Sequence, residues 1–592
     1  MNQERKSMNQ GTRNLDAGPA GFGSQTRYGN RRWGRSGSRS LAAAGRRLGV
    51  SHAALLAAPL LLGAAVAVPG PAPQPPAPPA PAGGCAAGVP NVARLGAPVL
   101  DRLEVGSPLT SLQRSYLCSV AEDTWKFFLA DADTPTGLPM DNIGFDGAPA
   151  TGPYTNASDI AMYLWAIAAA RQLGIVSPGH ARSLAAAELA AIGRLVSSDG
   201  FLFDWYSTTT GQVITGPGGG PVSSLTGHAL STVNNGWYAS ALVVTREAFP
   251  SLYGQATALL DRMDFGLFYD SADGQLYGDY QVGVGPASYE NGALDTDWRI
   301  ANYMGLGLQQ LPGRSWWDTW LTFPPSLGFT WQTQEPSGPT VSYVDPYSAK
   351  TYSVYEGHYT YDGIQYIPSW GGSEFEALMA PLVVPETSWG TNGFGQNDVN
   401  YAEASIAYAT DALHYDVWGL SPASIPGTTG GYDTYGAYEL GEGGSGNAYA
   451  NTAVAPYASF LALPILPQQA YANITTIAHD YPGIVGPDGF FDSLDPTTGT
   501  VAPRYLALDQ GMVLAGVDDA LEGGGLQRYF AADPVGQRIR PYLAEENFDL
   551  VAYPGTRLSA GGPAPGGPPA GAPPAGGPAP GGPAPGGRHV VP

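Results

Sequence analysis

The sequence predicts an all-α fold, an (α/α)6 toroid in which six helical hairpins form a closed ring with short β-hairpins in the loops. Two observations predict it. Twelve segments spread over residues 110–525 repeat apolar residues with helical period, and Gly-, Pro- and aromatic-rich loops separate them. A loop–helix unit also recurs. Gly200-Phe201-Leu202-Phe203-Asp204, Gly266-Leu267-Phe268-Tyr269-Asp270 and Gly489-Phe490-Phe491-Asp492 are alike, and each precedes a helix opened by polar residues. Repetition of such a unit implies repeated packing of similar elements. An open helical solenoid is the alternative, because nothing in the chain proves closure.

In chain order the predicted helices are Leu112–Ala132, Ser158–Leu173, Pro178–Val196, Asn235–Phe249, Leu252–Asp264, Thr296–Leu308, Trp316–Thr322, Glu374–Leu382, Val399–Leu413, Ala453–Leu463, Gln468–His479 and Tyr505–Leu521. Short strand pairs are predicted at Val213–Ile214, Thr340–Val344 and Thr351–Tyr361. Five helices open on polar residues: Asn156-Ala157-Ser158-Asp159, Asn234-Asn235-Gly236-Trp237, Asp295-Thr296-Asp297-Trp298-Arg299, Glu374-Phe375-Glu376 and Asp509-Gln510-Gly511. If inner helices start on one side of a ring, these openings converge and line a concave site with Asp, Glu, Asn and Trp.

The ends differ from this body. Residues 1–100 carry 11 Lys and Arg against 2 Asp and Glu, while the whole chain has a formal charge of −22. Within 1–68, a basic segment ending Gly45-Arg46-Arg47-Leu48 precedes the apolar run Ala53–Val68, the pattern of an export signal, cleaved or retained as an anchor. A Pro/Ala-rich linker (69–100), a folded domain (101–558) and a Gly/Pro-rich tail (559–592), expected to be disordered, follow. The expected location is secreted, periplasmic or cell-envelope, with a monomer as the working state. Cys85 and Cys118 are the two cysteines; in an exported chain they can pair, and their number does not suit zinc.

Composition restricts the partner. A body this acidic cannot neutralise phosphates, which excludes nucleic acid. A neutral polymer is not repelled, and 33 Tyr and 13 Trp supply flat amphipathic rings suited to sugar faces. Gly441-Glu442-Gly443-Gly444-Ser445-Gly446 matches G-x-G-x-x-G but lacks the preceding strand a dinucleotide site needs. Scattered histidines and the absence of a nucleophile elbow or P-loop leave carboxylates to carry chemistry. Glycosidic hydrolysis needs one acid to protonate the leaving oxygen and a second group to activate water or attack carbon. Glu374 and Glu376, two apart on one helix, point about 200° apart; Glu376, between Phe375 and Ala377-Leu378-Met379, suits a partly desolvated acid. Acidic residues in a first turn also complement the helix dipole, the ordinary explanation for both. In Tyr289–Arg299, Asp295 is a candidate cap, and Asp297 falls near the second helical position beside Arg299.

Six segments then run in a familiar order: Gly137-Leu138-Pro139-Met140-Asp141, Thr155–Tyr163, Asn235-Gly236-Trp237-Tyr238, Leu294–Arg299, Pro368–Met379 and Tyr505–Met512. Over residues 110–530 the chain resembles the glycoamylase-like glycoside hydrolases of the β-1,2-glucanase group, whose fold is an (α/α)6 toroid. The resemblance implies an enzyme acting on a β-glucan, best β-1,2-glucan, with Glu376 as general acid and Asp297 as base or partner carboxylate. It departs at Asp297, where glutamate is common. Trp237, Tyr289, Glu290, Arg299 and Trp370 are expected to position sugar, with Glu356, Asp141 and Asp509 as further binding candidates. No metal or organic cofactor is implied. The resemblance spans inverting hydrolases and retaining transglycosylases, and a non-catalytic glycan-binding envelope protein on the same scaffold is the reading from another class.

Overall fold

The computed structural model describes Cys85 and residues 108–145, 149–328, 331–428, 431–443 and 449–552. The export signal, the Pro/Ala linker apart from Cys85, and the Gly/Pro tail lie outside the described residues. Fifteen α-helices occur among those described: α1 (Ser111–Asp131), α2 (Ala157–Gln172), α3 (Pro178–Ile192), α4 (Thr232–Ala248), α5 (Tyr253–Leu260), α6 (Arg299–Gly307), α7 (Arg314–Trp317), α8 (Glu374–Leu378), α9 (Glu386–Trp389), α10 (Phe394–Ala407), α11 (Pro456–Ala462), α12 (Pro467–Asp480), α13 (Ala507–Glu522), α14 (Gly525–Ala532) and α15 (Pro534–Glu545). Short antiparallel strands fill the loops in nine small sheets. Thr340–Val344 pairs with Thr351–Tyr355 as predicted, whereas Val213 and Ile214 form isolated bridges only.

Eleven of the twelve predicted helical segments contain a helix; the twelfth, Trp316–Thr322, shares only Trp316 and Trp317 with the short α7. Several boundary differences have local causes. Thr296 Oγ1 accepts the Trp298 N–H at 3.3 Å, which turns the chain before α6 and delays its start to Arg299. Glu374–Leu382 divides into α8 and a 3-10 turn, Ala380–Leu382, where Pro381 lacks an N–H for the helical ladder. Val399–Leu413 starts earlier, at Phe394, and ends in a π-helical turn, Tyr408–Ala412. The short α9, along with α14 and α15, was not predicted. Gly523 and Gly524, at φ 67° and 81°, end α13 and reverse directly into α14; both are left-handed positions that glycine takes without strain.

Burial divides the helices. Nearly every residue of α2, α4, α6, α11 and α13 is buried, and small side chains such as the Ala166–Ala170 stretch of α2 let neighbours approach on all sides. Helices α1, α3, α5 and α12 bury one face only. α2 packs on α4 and α13, α4 on α6, α8 on α11, and α11 on α13. Residues Asn142–Phe145 pair with Arg504–Leu506, tying the early loop to the start of α13. Cys85 and Cys118 form a disulfide, and the Cys85 N–H donates to the Leu173 carbonyl at 2.8 Å, fixing residue 85 against α1 and the C-terminal end of α2. Among the described residues no helix is long and apolar enough to cross a membrane.

With 50 acidic and 28 basic side chains, many carboxyls are buried without a cation. Asp131 and Glu188, both buried, have no hydrogen-bonded side-chain oxygen, and burial drives both well above the usual carboxyl range. Burial also pushes Asp204, Asp295 and Glu403 up to about 7 and Glu374 to about 8. Unfolded, these groups ionise near pH ~4. Between that value and about 7–8, the folded chain holds protons that the unfolded chain has released, so stability declines as pH rises across the window. Calorimetry is expected to give a higher Tm at pH ~5 than at pH ~8; a flat or rising Tm contradicts it.

Candidate active site

Asp297 and Glu376 meet where the turn before α6 faces α8. The Asp297 N–H donates to Glu376 Oε2 at 3.3 Å, and the two carboxyls hydrogen bond, with Glu376 holding the proton. Trp237, from α4, donates Nε1–H to Asp297 Oδ2 at 3.3 Å. Burial raises Asp297 to about 6, against the opposing effects of the Glu376 and Trp237 hydrogen bonds and the Arg299 charge. Glu376 is driven well above the carboxyl range by burial first and by the Asp297 charge second. Both keep a little solvent access, 6 and 7%, whereas Glu374 has none. Glu374 turns into the fold and accepts the Ser405 hydroxyl at 2.7 Å. Ser373, at the N-cap of α8, makes no side-chain cap bond.

Three sequence expectations need correction here. Asp297 lies ahead of α6 and not in its second position, and Asp295 caps nothing: the N-cap is Trp298. Arg299, expected to position sugar, is completely buried, with its donors taken by protein. Its Nε and Nη2 hold the two oxygens of Glu386 at 2.9 and 3.1 Å, and Nη1 holds Asp295 Oδ1 at 3.2 Å. Nη1 also reaches the Glu376 carbonyl at 3.2 Å, and Nη2 the Ala377 carbonyl at 2.5 Å. Asn397 completes Asp295 at 2.9 Å, and the Tyr303 hydroxyl donates to Glu386 at 2.7 Å. Arg299 is thus a positioning residue that joins α6 to α8 behind the acid pair. Glu386 went unrecognised because no motif or spacing marks it.

A second acid group forms at the starts of α13 and α2. Asp509 and Asp492 hydrogen bond through their carboxyls, and burial, then the Asp492 charge, holds Asp509 well above its usual range. Asp492 Oδ2 accepts the Ser424 N–H at 2.6 Å. Asp141 lies beside them, pushed up to about 6 by burial, its Oδ1 bonded to Asn142 at 2.7 Å. Asp159 caps α2 with Asn156 through a reciprocal box. Asp492 was missed as a site residue, although it closes the third copy of the repeated Gly-aromatic-Asp loop.

Contacts link one helical start to the next. Ser158 donates to Asn234 at 3.0 Å, from α2 to α4. Trp237 meets Asp297, which meets Glu376. Phe375 packs edge-on against Tyr457 of α11 at 6.4 Å. The Ala507 N–H donates to the Asp141 carbonyl at 2.9 Å. All five polar openings predicted from the sequence take part or adjoin these contacts.

The remaining candidates are spread more widely. Trp370 is buried against Phe323, Trp331 and Tyr449. Tyr289 donates to Asp279 at 3.3 Å. Half-buried Glu290 groups with Asp270 and Asp273, whose ligand oxygens lie within 4.8 Å of one another, a spacing that could admit a cation. Glu356 is separate from the acid pair in its bonding: it accepts the Tyr343 hydroxyl, and Tyr343 is in turn held by the Asn547 N–H at 3.0 Å.

The fold is similar to that of solved putative glucoamylases and endo-β-1,2-glucanases. Residues 339–534 match the Glycoamylase family, described as "Putative glucoamylase", and residues 119–311 match a family of unknown function, DUF3131. The glycoamylase-like resemblance read from the sequence therefore holds for residues 339–534. Among solved structures, an endo-β-1,2-glucanase from Chitinophaga pinensis is 17% identical, with a TM-score of 0.54, covering 74% of this chain and 98% of that one. A Bacteroides fragilis protein described as the family is gives 16% identity and a TM-score of 0.56, covering 74% and 98%. The endo-β-1,2-glucanase of Talaromyces funiculosus, in complex with sophorose, gives 14% and 0.53, covering 73% and 88%. These likenesses show a shared fold. The cyclic β-(1,2)-glucan synthase NdvB of Rhizobium meliloti (strain 1021) is 32% identical over 191 residues, 30% of this chain; the chain spans only 6% of that relative's length.

Removing Arg299 strands Glu386 and Asp295 as buried charges. Arg299→Ala is expected to cost about 3–5 kcal/mol of stability in denaturant unfolding. Arg299→Lys, unable to hold both Glu386 oxygens, should recover only part of it. A loss under about 1 kcal/mol would contradict the clamp.

Proposed function

We propose that this protein is an exported glycoside hydrolase that cleaves a β-glucan, with β-1,2-glucan the best single substrate, on an (α/α)6 ring closed by α2, α4, α6, α8, α11 and α13. The observation that carries the reading is the Asp297–Glu376 pair: two contacting carboxyls at the edge of solvent whose proton affinities are driven apart. Glu376 keeps its proton at neutral pH and serves as general acid; Asp297, at about 6, is ionised above that pH and serves as base or partner carboxylate. Trp237 holds the ionised Asp297. The fold shared with β-1,2-glucanases and the segment shared with a β-1,2-glucan synthase support the linkage.

The contact is closer than the ~5–5.5 Å of retaining or ~6.5–9.5 Å of inverting carboxyl pairs. Substrate must therefore part the two groups, or a carboxylate of the Asp492–Asp509 pair must supply the second role. Transglycosylation is the second reading, favoured by the match to the cyclic glucan synthase; it yields larger or cyclic products in place of shorter ones.

The test is a glycan panel incubated with the purified chain, with products read by mass. Glu376→Gln is expected to lower turnover by roughly 10²–10⁴-fold, the usual worth of a general acid, with its unfolding midpoint unchanged. A fully active variant would sink the assignment. For the wild type, kcat/KM should rise as pH passes about 6, where Asp297 ionises, and fall again at the higher pH where Glu376 loses its proton. If Asp297→Asn stays active while Asp492→Asn is dead, the base belongs to the second pair.

A further inference from the structure

Aromatic rings form a wall on the chain leading into α8. Trp370 packs against Trp331, with ring centroids 6.1 Å apart and planes 32° apart, and against Phe323 at 6.4 Å; Phe323 meets Trp320 edge-on at 5.5 Å. Phe323, Trp370 and Tyr449 are buried, while Trp320 and Trp331 pack on them and remain half-exposed. The ordinary fate of a tryptophan in a large fold is fuller burial, since each carries 150–250 Å² of surface to hide. Two indoles left at one rim are an apolar patch with a backing already built.

Backbone bonds tie that wall to both members of the acid pair. The Leu294 N–H donates to the Trp320 carbonyl at 2.7 Å, and the Trp320 N–H to the Gly292 carbonyl at 2.9 Å, so Trp320 lies beside the segment entering Asp295-Thr296-Asp297. On the other side, the Gly371 N–H donates to the Glu442 carbonyl at 2.7 Å, the Glu442 carboxylate accepts the Phe323 N–H at 2.9 Å, and the Gly443 N–H donates to the Trp331 carbonyl at 2.8 Å. Gly371 permits the approach: at φ 66°, a Cβ there would lie 2.4 Å from the Tyr449 ring. Five residues beyond it comes Glu376.

The chemistry of an occupant follows from what the wall offers. Flat half-exposed rings take the C–H face of a pyranose. Arg299, the cation behind this region, has its donors committed to protein, and the chain carries a net charge of −22, so an anionic polymer is disfavoured. We propose that Trp320 and Trp331 form a stacking subsite for a glucosyl residue of a neutral glucan, which seats the chain so that a neighbouring linkage enters the Asp297–Glu376 pair. This rests on the reading of that pair as glucan-active.

The test separates the two ideas. Binding of sophorose and longer linear β-1,2-gluco-oligosaccharides to the full chain carrying Glu376→Gln is followed by calorimetry and tryptophan fluorescence, with wild-type hydrolysis measured alongside. Adding Trp320→Ala or Trp331→Ala is expected to weaken binding on the order of tenfold, about the worth of one aromatic contact. Trp331→Phe, which keeps a stackable face, should retain most of the affinity. With Glu376 intact, the same alanine changes should raise KM and leave kcat nearly unchanged, because the contact is made equally in ground and transition states. Unchanged affinity in folded alanine variants overturns the subsite. If those variants do not fold, Trp331→Leu against Trp331→Phe gives the same comparison at conserved bulk. Binding that depends on the tryptophans without wild-type hydrolysis keeps the subsite and overturns the catalytic reading. Hydrolysis with affinity indifferent to both tryptophans does the reverse, and absence of all glucan binding overturns both.

Discussion

The rest of the site depends on a single buried cation. Arg299 opens α6, yet most of its bonds leave that helix: the Glu386 carboxylate and the carbonyls of Glu376 and Ala377 all converge on its fork. A planar guanidinium can satisfy a carboxylate in two places and still reach main-chain oxygens, which an ammonium cannot. Phe394 lies under it, with the guanidinium carbon 4.9 Å from the ring centre. The start of α8 is therefore fixed relative to the turn before α6, and with it the contact between Asp297 and Glu376. α8 is a single short stretch of five residues with no side-chain cap; isolated helices of that length do not hold in water. Its geometry is supplied from outside.

One cation cannot neutralise the acids around it. Asp295, Glu386 and Asp398 all approach Arg299. Asp398 is pushed well above the carboxyl range by burial and then by the Glu386 charge, so it stays protonated. The same condition recurs across the interior, in Asp509 against Asp492 and in Glu376 against Asp297. Acidic pairs that share a proton replace the ion pairs that a chain with more lysine and arginine would form. For catalysis this is useful: a carboxylic acid that stays neutral at working pH is what protonation of a leaving oxygen demands. For stability it ties the fold to pH.

The helices were legible because their period is local, and of the twelve predicted segments only Trp316–Thr322 is mostly loop. The convergence of polar openings was legible too, since Asn156, Asn234, Asp297, Glu376 and Asp509 each follow a loop with turn chemistry. What escaped the sequence is what depends on distant partners. Arg299 reads as a sugar-positioning residue until Glu386, far along the chain, is seen to take the guanidinium. Asp295 reads as a cap until Asn397 and Arg299 claim it. Helix α14 was hidden because Gly523-Gly524 reads as the end of a helix, and nothing local says that another begins at once. Trp320 falls inside the predicted helix Trp316–Thr322 and Trp331 in a loop, and only their packing on Phe323 and Trp370 marks them.

The acid pair and the aromatic wall answer different needs, and their separation in the chain follows from that. Proton transfer requires groups held away from water by rigid elements, and Asp297 and Glu376 sit at helical starts fixed by a buried cation. Holding a polymer requires broad, half-open surface that tolerates sliding, and Trp320 and Trp331 are carried by loops whose backbone is pinned at Glu442, Gly292 and Leu294. Sugar rings contacted by apolar faces add binding without fixing hydroxyl orientation, so the wall by itself cannot select a linkage. On the proposed reading, selection of a linkage falls to the polar helical starts, where Asp141 and the Asp492–Asp509 pair can hold hydroxyls at fixed angles. On this division, changes in the wall alter how long a glucan stays, and changes at the helical starts alter which glucan is cut.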